Sequence, residues 1–431
     1  MKIVVNYKDH IRPVFFMLLT LFSCHIGFIL LMPATYSKDM YGWLEVIEIL
    51  KRGANPYRES GLLNYPPFWM QILYGVSKLS LITKVSATHI IQLILISAEA
   101  IVMLVSYVIL IGLGKSKSLL LPVIIAFAIN PVSILLNCQH GNFDVFIGLW
   151  LLLLFYLLSE FYKHNSPVSW LMACFVLGIG ILTKTIPFIL IPVMLIGIQK
   201  QNKLTNLFGV VLILMPVTLG ISIIYALAPE GVSSNVLGYR SMAGWYGISG
   251  ILNLIGQIDL IDKYSAISPF IILLLMLLVT LRVRKIDRLS PNQLLVLLLC
   301  LLVFLPTFGP GYSPPYVLWF LPLTVIYFFM VDKIRQRIMV IGYVILVLTY
   351  IIEYATFSSH GAFIQYFDSS ETTRQICELW GKSKSQSLIR LPMFAFYLLF
   401  YALLLLDKNN ILTHKKSDLS EESVPPNQIT N

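Results

Sequence analysis

Residues 168–199 read VSWLMACFVLGIGILTKTIPFILIPVMLIGIQ, an apolar run whose one charged side chain is Lys184. As a single helix it would be about 48 Å long at ~1.5 Å per residue, whereas the hydrocarbon core of a bilayer is only ~30 Å thick. Lys184 would then lie near the bilayer centre, at ~2.5–3.5 kcal/mol on insertion scales. Pro187 cannot donate to a helical ladder and disfavours helix at Ile186. Two short helices meeting at Thr183-Lys184-Thr185 remove both difficulties. The run is therefore expected to be a membrane hairpin with Lys184 at its water-facing turn.

The rest of the chain has the same character. Of 431 residues, 57% are apolar and only 12% charged, about half the charge of an ordinary soluble domain. The fold class expected is an all-α polytopic membrane protein, one bundle over residues 1–407, with 408–431 a polar cytoplasmic tail. The five cysteines have no paired spacing and read as small apolar side chains. The first span, Pro13 to Thr35, follows Lys2, Lys8 and Arg12 and reads as a retained anchor.

The net charge of +10 does not call for nucleic acid, because the basic residues sort by loop. Lys115 and Lys117, Lys163, Lys200 and Lys203, Arg282 to Arg288, Lys333 to Arg337 and Lys408 to Lys416 fall between alternate spans, the pattern of cytoplasmic loops. Later spans are expected at 88–112, 119–136, 143–161, 168–182, 186–199, 205–227, 266–282, 291–308, 315–331, 338–356 and 391–407. With the first, that is about twelve crossings with both ends inside. The stretch 65–82 is long enough to cross, but crossing would invert every later basic loop. It is therefore laid along the outer surface, beside an amphipathic stretch from Met40 to Arg52.

In this threading the polar groups of the framework gather on the outer face: Asp39, the turn Gln139-His140-Gly141-Asn142-Phe143-Asp144, Lys184, Arg240, and Ser313 to Tyr316. Ionisable groups at membrane depth are costly and tend to mark functional cavities. Asp39 reads either as a solvated neighbour of Lys38 or as a general base that removes a proton from a hydroxyl. Lys184 and Arg240 are candidate grips for an anionic leaving group. His140, Asn142 and Asp144 either close a tight turn or bind an acceptor; His140 and Asp144 alone are too few ligands for a metal. Asn55, Tyr57 and Tyr65, within Asn55-Pro56-Tyr57 and Tyr65-Pro66-Pro67, either shape the first outer loop or line a substrate site. Tyr316 belongs to an interfacial aromatic belt or to a sugar or lipid groove.

The order Asp39, Gly53, Asn55-Pro56-Tyr57, Tyr65-Pro66-Pro67 resembles the first lumenal loop of GPI mannosyltransferase I, of the GT-C superfamily of polyprenyl-phosphate-sugar-dependent transferases. The Asn130-Pro131 span and the Ser313 to Tyr316 run followed by Trp319 are also similar. Two features depart from that family. Ser37 stands where it carries the first aspartate of an Asp-x-Asp pair, and the second outer turn is His-Gly-Asn-Phe-Asp. Bacterial polyprenyl-phosphate-mannose transferases of the superfamily look closer, and the chain contains no Asn-x-Ser/Thr sequon. The resemblance implies a GT-C-like bundle in a bacterial inner membrane, or in the ER membrane if the chain is eukaryotic, with its active site on the outer face. It implies inverting transfer of a hexose, mannose first, from a polyprenyl-phosphate donor to a glycan or lipid-linked acceptor. Asp39 would be the base, and neither cofactor nor metal is expected. Three rival readings remain. One is a transporter or flippase, for which Glu99 and Glu353 inside spans speak; the others are a polysaccharide polymerase and a non-catalytic membrane subunit.

Overall fold

The computed structural model describes residues 7–31, 37–115, 119–198, 201–237, 243–284, 286, 289–309, 311, 313–356, 370–380 and 382–412. Among them every regular element is helical. Among the described residues nine helices are long and apolar enough to cross a membrane: His10–Leu31, Ala87–Gly112, Leu120–His140, Asp144–His164, Lys203–Leu227, Ile258–Val283, Pro291–Phe308, Lys333–Ala355 and Ser383–Leu405. Three shorter apolar helices, Pro167–Thr183, Ile186–Leu195 and Val317–Phe328, occupy the other expected spans. The protein is a multi-pass membrane protein whose apolar helices meet lipid. Exposed side chains such as Leu207, Phe208, Phe270 and Leu274 clothe its rim.

Local chemistry sets where the helices begin. Ser86, Ser166, Asn202 and Ser290 each accept a first-turn N–H at the N-cap, Ser290 in a reciprocal capping box with Gln293. Proline occupies the opening turn of Pro67–Thr83, Pro167–Thr183 and Pro291–Phe308, where its missing N–H costs nothing.

The chain reverses within 168–198 as expected, although Lys184 at the turn is buried among side chains rather than facing open water. Pro167–Thr183 stops as Lys184 turns extended, and a 3-10 turn, Ile186–Leu190, leads into Ile191–Ile198. The chain doubles back so closely that a side chain at Gly197 would strike the Trp170 ring, and the Tyr162 hydroxyl donates to the Val193 carbonyl at 3.4 Å.

Hydrogen bonds join alternate helix ends into two sets. At one end Arg58 donates to the Leu227 carbonyl at 2.9 Å, Tyr354 meets His140, and Arg390 pairs with Glu353. At the other, Arg335 and Tyr327 both bond Asp407, at 2.9 and 2.7 Å, and Arg282 donates to the Ile411 carbonyl at 2.6 Å. Residues 407–412 thus turn back onto the bundle, with Ile411 buried; 413–431 lie outside the described residues.

Several boundaries differ from those expected. The second polar turn was expected from 137, but the helix before it runs to His140 through a π-helical stretch, Leu135–His140. The apolar pattern ends a turn earlier because Asn137, Gln139 and His140 are polar yet buried. Ile258–Val283 and Ser383–Leu405 also begin about two turns before their apolar runs. Lys38–Lys51 and Pro67–Thr83 stand where the first loop was expected to carry helices, and they pack on one another.

Candidate functional site

Asp39 sits in the first turn of Lys38–Lys51, whose N-cap is Ser37. Ser37 Oγ accepts from Met40 N at 3.2 Å and donates to the His140 carbonyl at 2.6 Å. Trp43 Nε1 donates to the Gly141 carbonyl at 2.9 Å. These contacts dock the start of the helix on the 140–142 turn. Gly141 makes the docking possible: its φ is +69°, and a Cβ there would drive into Met40.

The turn then grips Asp39. Oδ2 lies 3.0 Å from His140 Nε2 and takes a 3.0 Å hydrogen bond from Asn142 Nδ2. The orientation of Asn142 follows from its other bond, in which its Oδ1 accepts the Asp144 N–H at 2.8 Å. His140 is buried and its Nδ1 meets the Tyr354 hydroxyl. Asp39 itself keeps 34% of its side chain exposed, so a carboxylate of fixed orientation faces open space.

Lys184 is reached from another direction. Its ammonium donates to both oxygens of Asp144, at 2.8 and 3.1 Å, with the carboxylate fully buried beneath it. Four rings surround the ammonium: Tyr316 at 4.8 Å, Tyr65 and Trp319 at 5.1 Å and Phe143 at 5.9 Å. Asp144 offsets the charge and the rings cover most of the ammonium, so Lys184 is a fixed, largely buried donor at the cavity border.

Two cavities share one wall of Asn64, Tyr65, Lys184 and Tyr316. The first, of about 470 Å³, is the more polar of the two, with Lys38, Asp39, Asn142, Ser234, Asn235 and Ser313 in its lining. The second, of about 690 Å³, is lined mainly by apolar groups, among them Ile186, Val236, Leu237, Ile272, Leu305 and Trp319. A proton-accepting carboxylate therefore opens on a basin of amides and hydroxyls. A cation stands at the border with an apolar trench.

Of the ten residues singled out in the sequence, Asp39, Tyr65, Asn142, Lys184 and Tyr316 line the polar cavity. His140 and Asp144 stand behind it, holding Asp39 and Lys184. Asn55 and Tyr57 shape the loop. Asn55 Oδ1 accepts from Tyr57 N at 3.0 Å, and the buried Tyr57 hydroxyl donates to the Tyr65 carbonyl at 3.0 Å. Burial pushes the Tyr57 phenol above its ordinary range, which keeps it a donor. Arg240 lies outside the described residues.

Sequence reading missed Lys38, Trp43, Asn64, Ser234 and Asn235 in the cavity wall, and Tyr354 behind it. Lys38 had a signal, its place beside Asp39; Tyr354 had none, being 214 positions from its partner. No protein-family model matches the chain, and no curated protein matches it.

Proposed function

We propose that this protein is an integral membrane glycosyltransferase with a GT-C-like bundle of about twelve crossings. It transfers a hexose, mannose by resemblance, from a polyprenyl phosphate to a glycan or lipid-linked acceptor on the outer face. What carries the reading is the pair of cavities joined at Lys184, one of mixed lining that holds Asp39, the other mainly apolar. A donor with a hydrocarbon tail and a phosphosugar head needs both kinds of space, and the acceptor needs a base.

In this mechanism the acceptor hydroxyl sits in the polar cavity and loses its proton to Asp39 as its oxygen attacks the anomeric carbon. The bond from that carbon to the phosphate oxygen breaks with inversion. The polyprenyl phosphate leaves with the electron pair, as an anion needing no protonation. Two Lys184 donors are engaged by Asp144, and a third N–H remains for the departing phosphate; Lys38 adds positive charge along the same wall. Asn64, Asn142, Ser234, Asn235 and Ser313 are suited to sugar hydroxyls.

The test is a transfer assay on protein in lipid, with radiolabelled polyprenyl-phosphate mannose and glucose and a host lipid extract as acceptor. Wild type is expected to transfer one label, and Asp39→Asn to lose about 10²–10⁴-fold, the usual contribution of a general base. Wild type that transfers neither label yet moves labelled lipid across a vesicle membrane would establish the flippase reading in its place.

A further inference from the structure

We propose that Tyr354 is a positioning residue that fixes the proton of His140 on Nε2, and through it sets the orientation of Asp39. The inference rests on the transferase reading for its kinetic consequence, though not for its geometry. His140 lies between two partners of different chemistry. Nε2 is 3.0 Å from an oxygen of Asp39, and a carboxylate oxygen only accepts, so that nitrogen carries hydrogen. Nδ1 faces the Tyr354 hydroxyl, which can donate; in a neutral imidazole the nitrogen opposite an N–H is an acceptor. The hydrogen bond made by one ring nitrogen decides what the other offers. Tyr354 O–H into Nδ1 therefore selects the tautomer whose Nε2–H points at Asp39.

The surroundings hold Tyr354 in place for this task. Its neighbour Glu353 forms a buried ion pair with Arg390, Nε to Oε2 at 3.2 Å. Arg390 Nη1 also donates to the Trp245 carbonyl at 3.4 Å. The end of the Lys333–Thr356 helix is thus pinned to Ser383–Leu405 and to the 245 loop, one residue from the hydroxyl. The Tyr350 ring stacks parallel to Tyr354, with centroids 6.3 Å apart. Without the hydroxyl only the Asp39 contact favours the proton on Nε2, and the Nδ1–H tautomer gains population. Nε2 would then turn a lone pair toward Oδ2, and the carboxylate would rotate away.

The experiment is nitrogen NMR on the full chain in lipid with ¹⁵N-labelled histidine, the His140 signals among the seven histidines being identified by their loss in His140→Gln. Wild type is expected to show protonated Nε2 and bare Nδ1, and Tyr354→Phe a mixture of tautomers with the other histidines unchanged. Should Tyr354→Phe not fold, Asp39→Ala, which leaves no acceptor opposite Nε2, answers the same question: the tautomer persists if Tyr354 sets it and is lost if Asp39 does. A wild-type His140 protonated on Nδ1, or a Tyr354→Phe spectrum identical to wild type, overturns the proposal. In the transfer assay Tyr354→Phe is expected to lower kcat roughly tenfold with KM unchanged, the size one ordinary hydrogen bond gives. If wild type transfers no sugar, the transferase reading fails while the spectra still decide the tautomer.

Discussion

Lys184 and Asp144 are each intelligible only with the other. Either charge alone, buried at this depth, would be left uncompensated, and breaking one side of such a pair costs about 3–5 kcal/mol. Lys184→Met and Asp144→Asn are each expected to lower stability by that order, measured by thermal or denaturant unfolding in lipid. The double change Lys184→Met with Asp144→Leu is expected to recover much of the loss while transfer stays abolished, because the cation at the cavity border is gone. A double variant that regains transfer would remove Lys184 from the mechanism. Gly141 makes a second argument from one residue. An L side chain in its left-handed conformation costs about 1–2 kcal/mol, and Met40 already occupies the space a methyl needs. Gly141→Ala should therefore be destabilised by about that much, the Met40 thioether end shifting to make room. It should also lose activity beyond its loss of folded protein, since the turn holding Asp39 is displaced.

At the scale of elements, the hairpin was legible because two misfits in an apolar run, Lys184 and Pro187, have only one cheap resolution. In the first loop the helix at Lys38–Lys51 was legible from its amphipathic pattern, while the stretch 65–82 was kept out of the membrane only by the pattern of basic loops. Other features left no such mark. The π-helical stretch Leu135–His140 extends a helix through polar residues that tertiary burial makes acceptable, and a hydropathy pattern stops before it. Asp39, His140 and Lys184 could be assigned to one face by counting crossings. Who holds whom could not, because Asp39 meets His140 across 101 positions and Tyr354 meets it across 214. The hairpin has its own test. In a cysteine-free background, Tyr41→Cys and Thr185→Cys, both at exposed positions, should react with a membrane-impermeant maleimide from the same side, and Asn202→Cys from the other. Thr185 and Asn202 labelled from one side would mean that the 168–199 run does not double back across the bilayer.

At the scale of the whole molecule, three of the four deeply buried carboxylates among the described residues each have a cation of their own. Asp144 has Lys184, Glu353 has Arg390, and Asp407 has Arg335. These pairs lie at or near helix ends, two in the set that contains the cavities and one in the opposite set, and they tie together positions 37, 40 and 72 residues apart. Glu99 is different. It lies midway along Ala87–Gly112, is 1% exposed, and among the described residues no cation stands within ion-pair distance of it. A clamp and a lone buried acid respond oppositely to the same conservative change. Glu353→Gln leaves the Arg390 guanidinium buried without its counter-charge, and a loss of about 3–5 kcal/mol is expected. Glu99→Gln keeps the shape and hydrogen-bonding reach but removes the group whose charged form is most costly in an apolar interior, so stability should stay within about 1 kcal/mol of wild type or rise. Unfolding of both variants in the same lipid, read against wild type, checks the contrast. The two rivals then part on Glu99: a coupling site of a transporter would lose its transport in Glu99→Gln, whereas a transferase whose chemistry lies at Asp39 would keep its rate. A Glu99→Gln protein that is stable yet inactive in sugar transfer would place part of the mechanism in the membrane interior, where the two-cavity reading puts none.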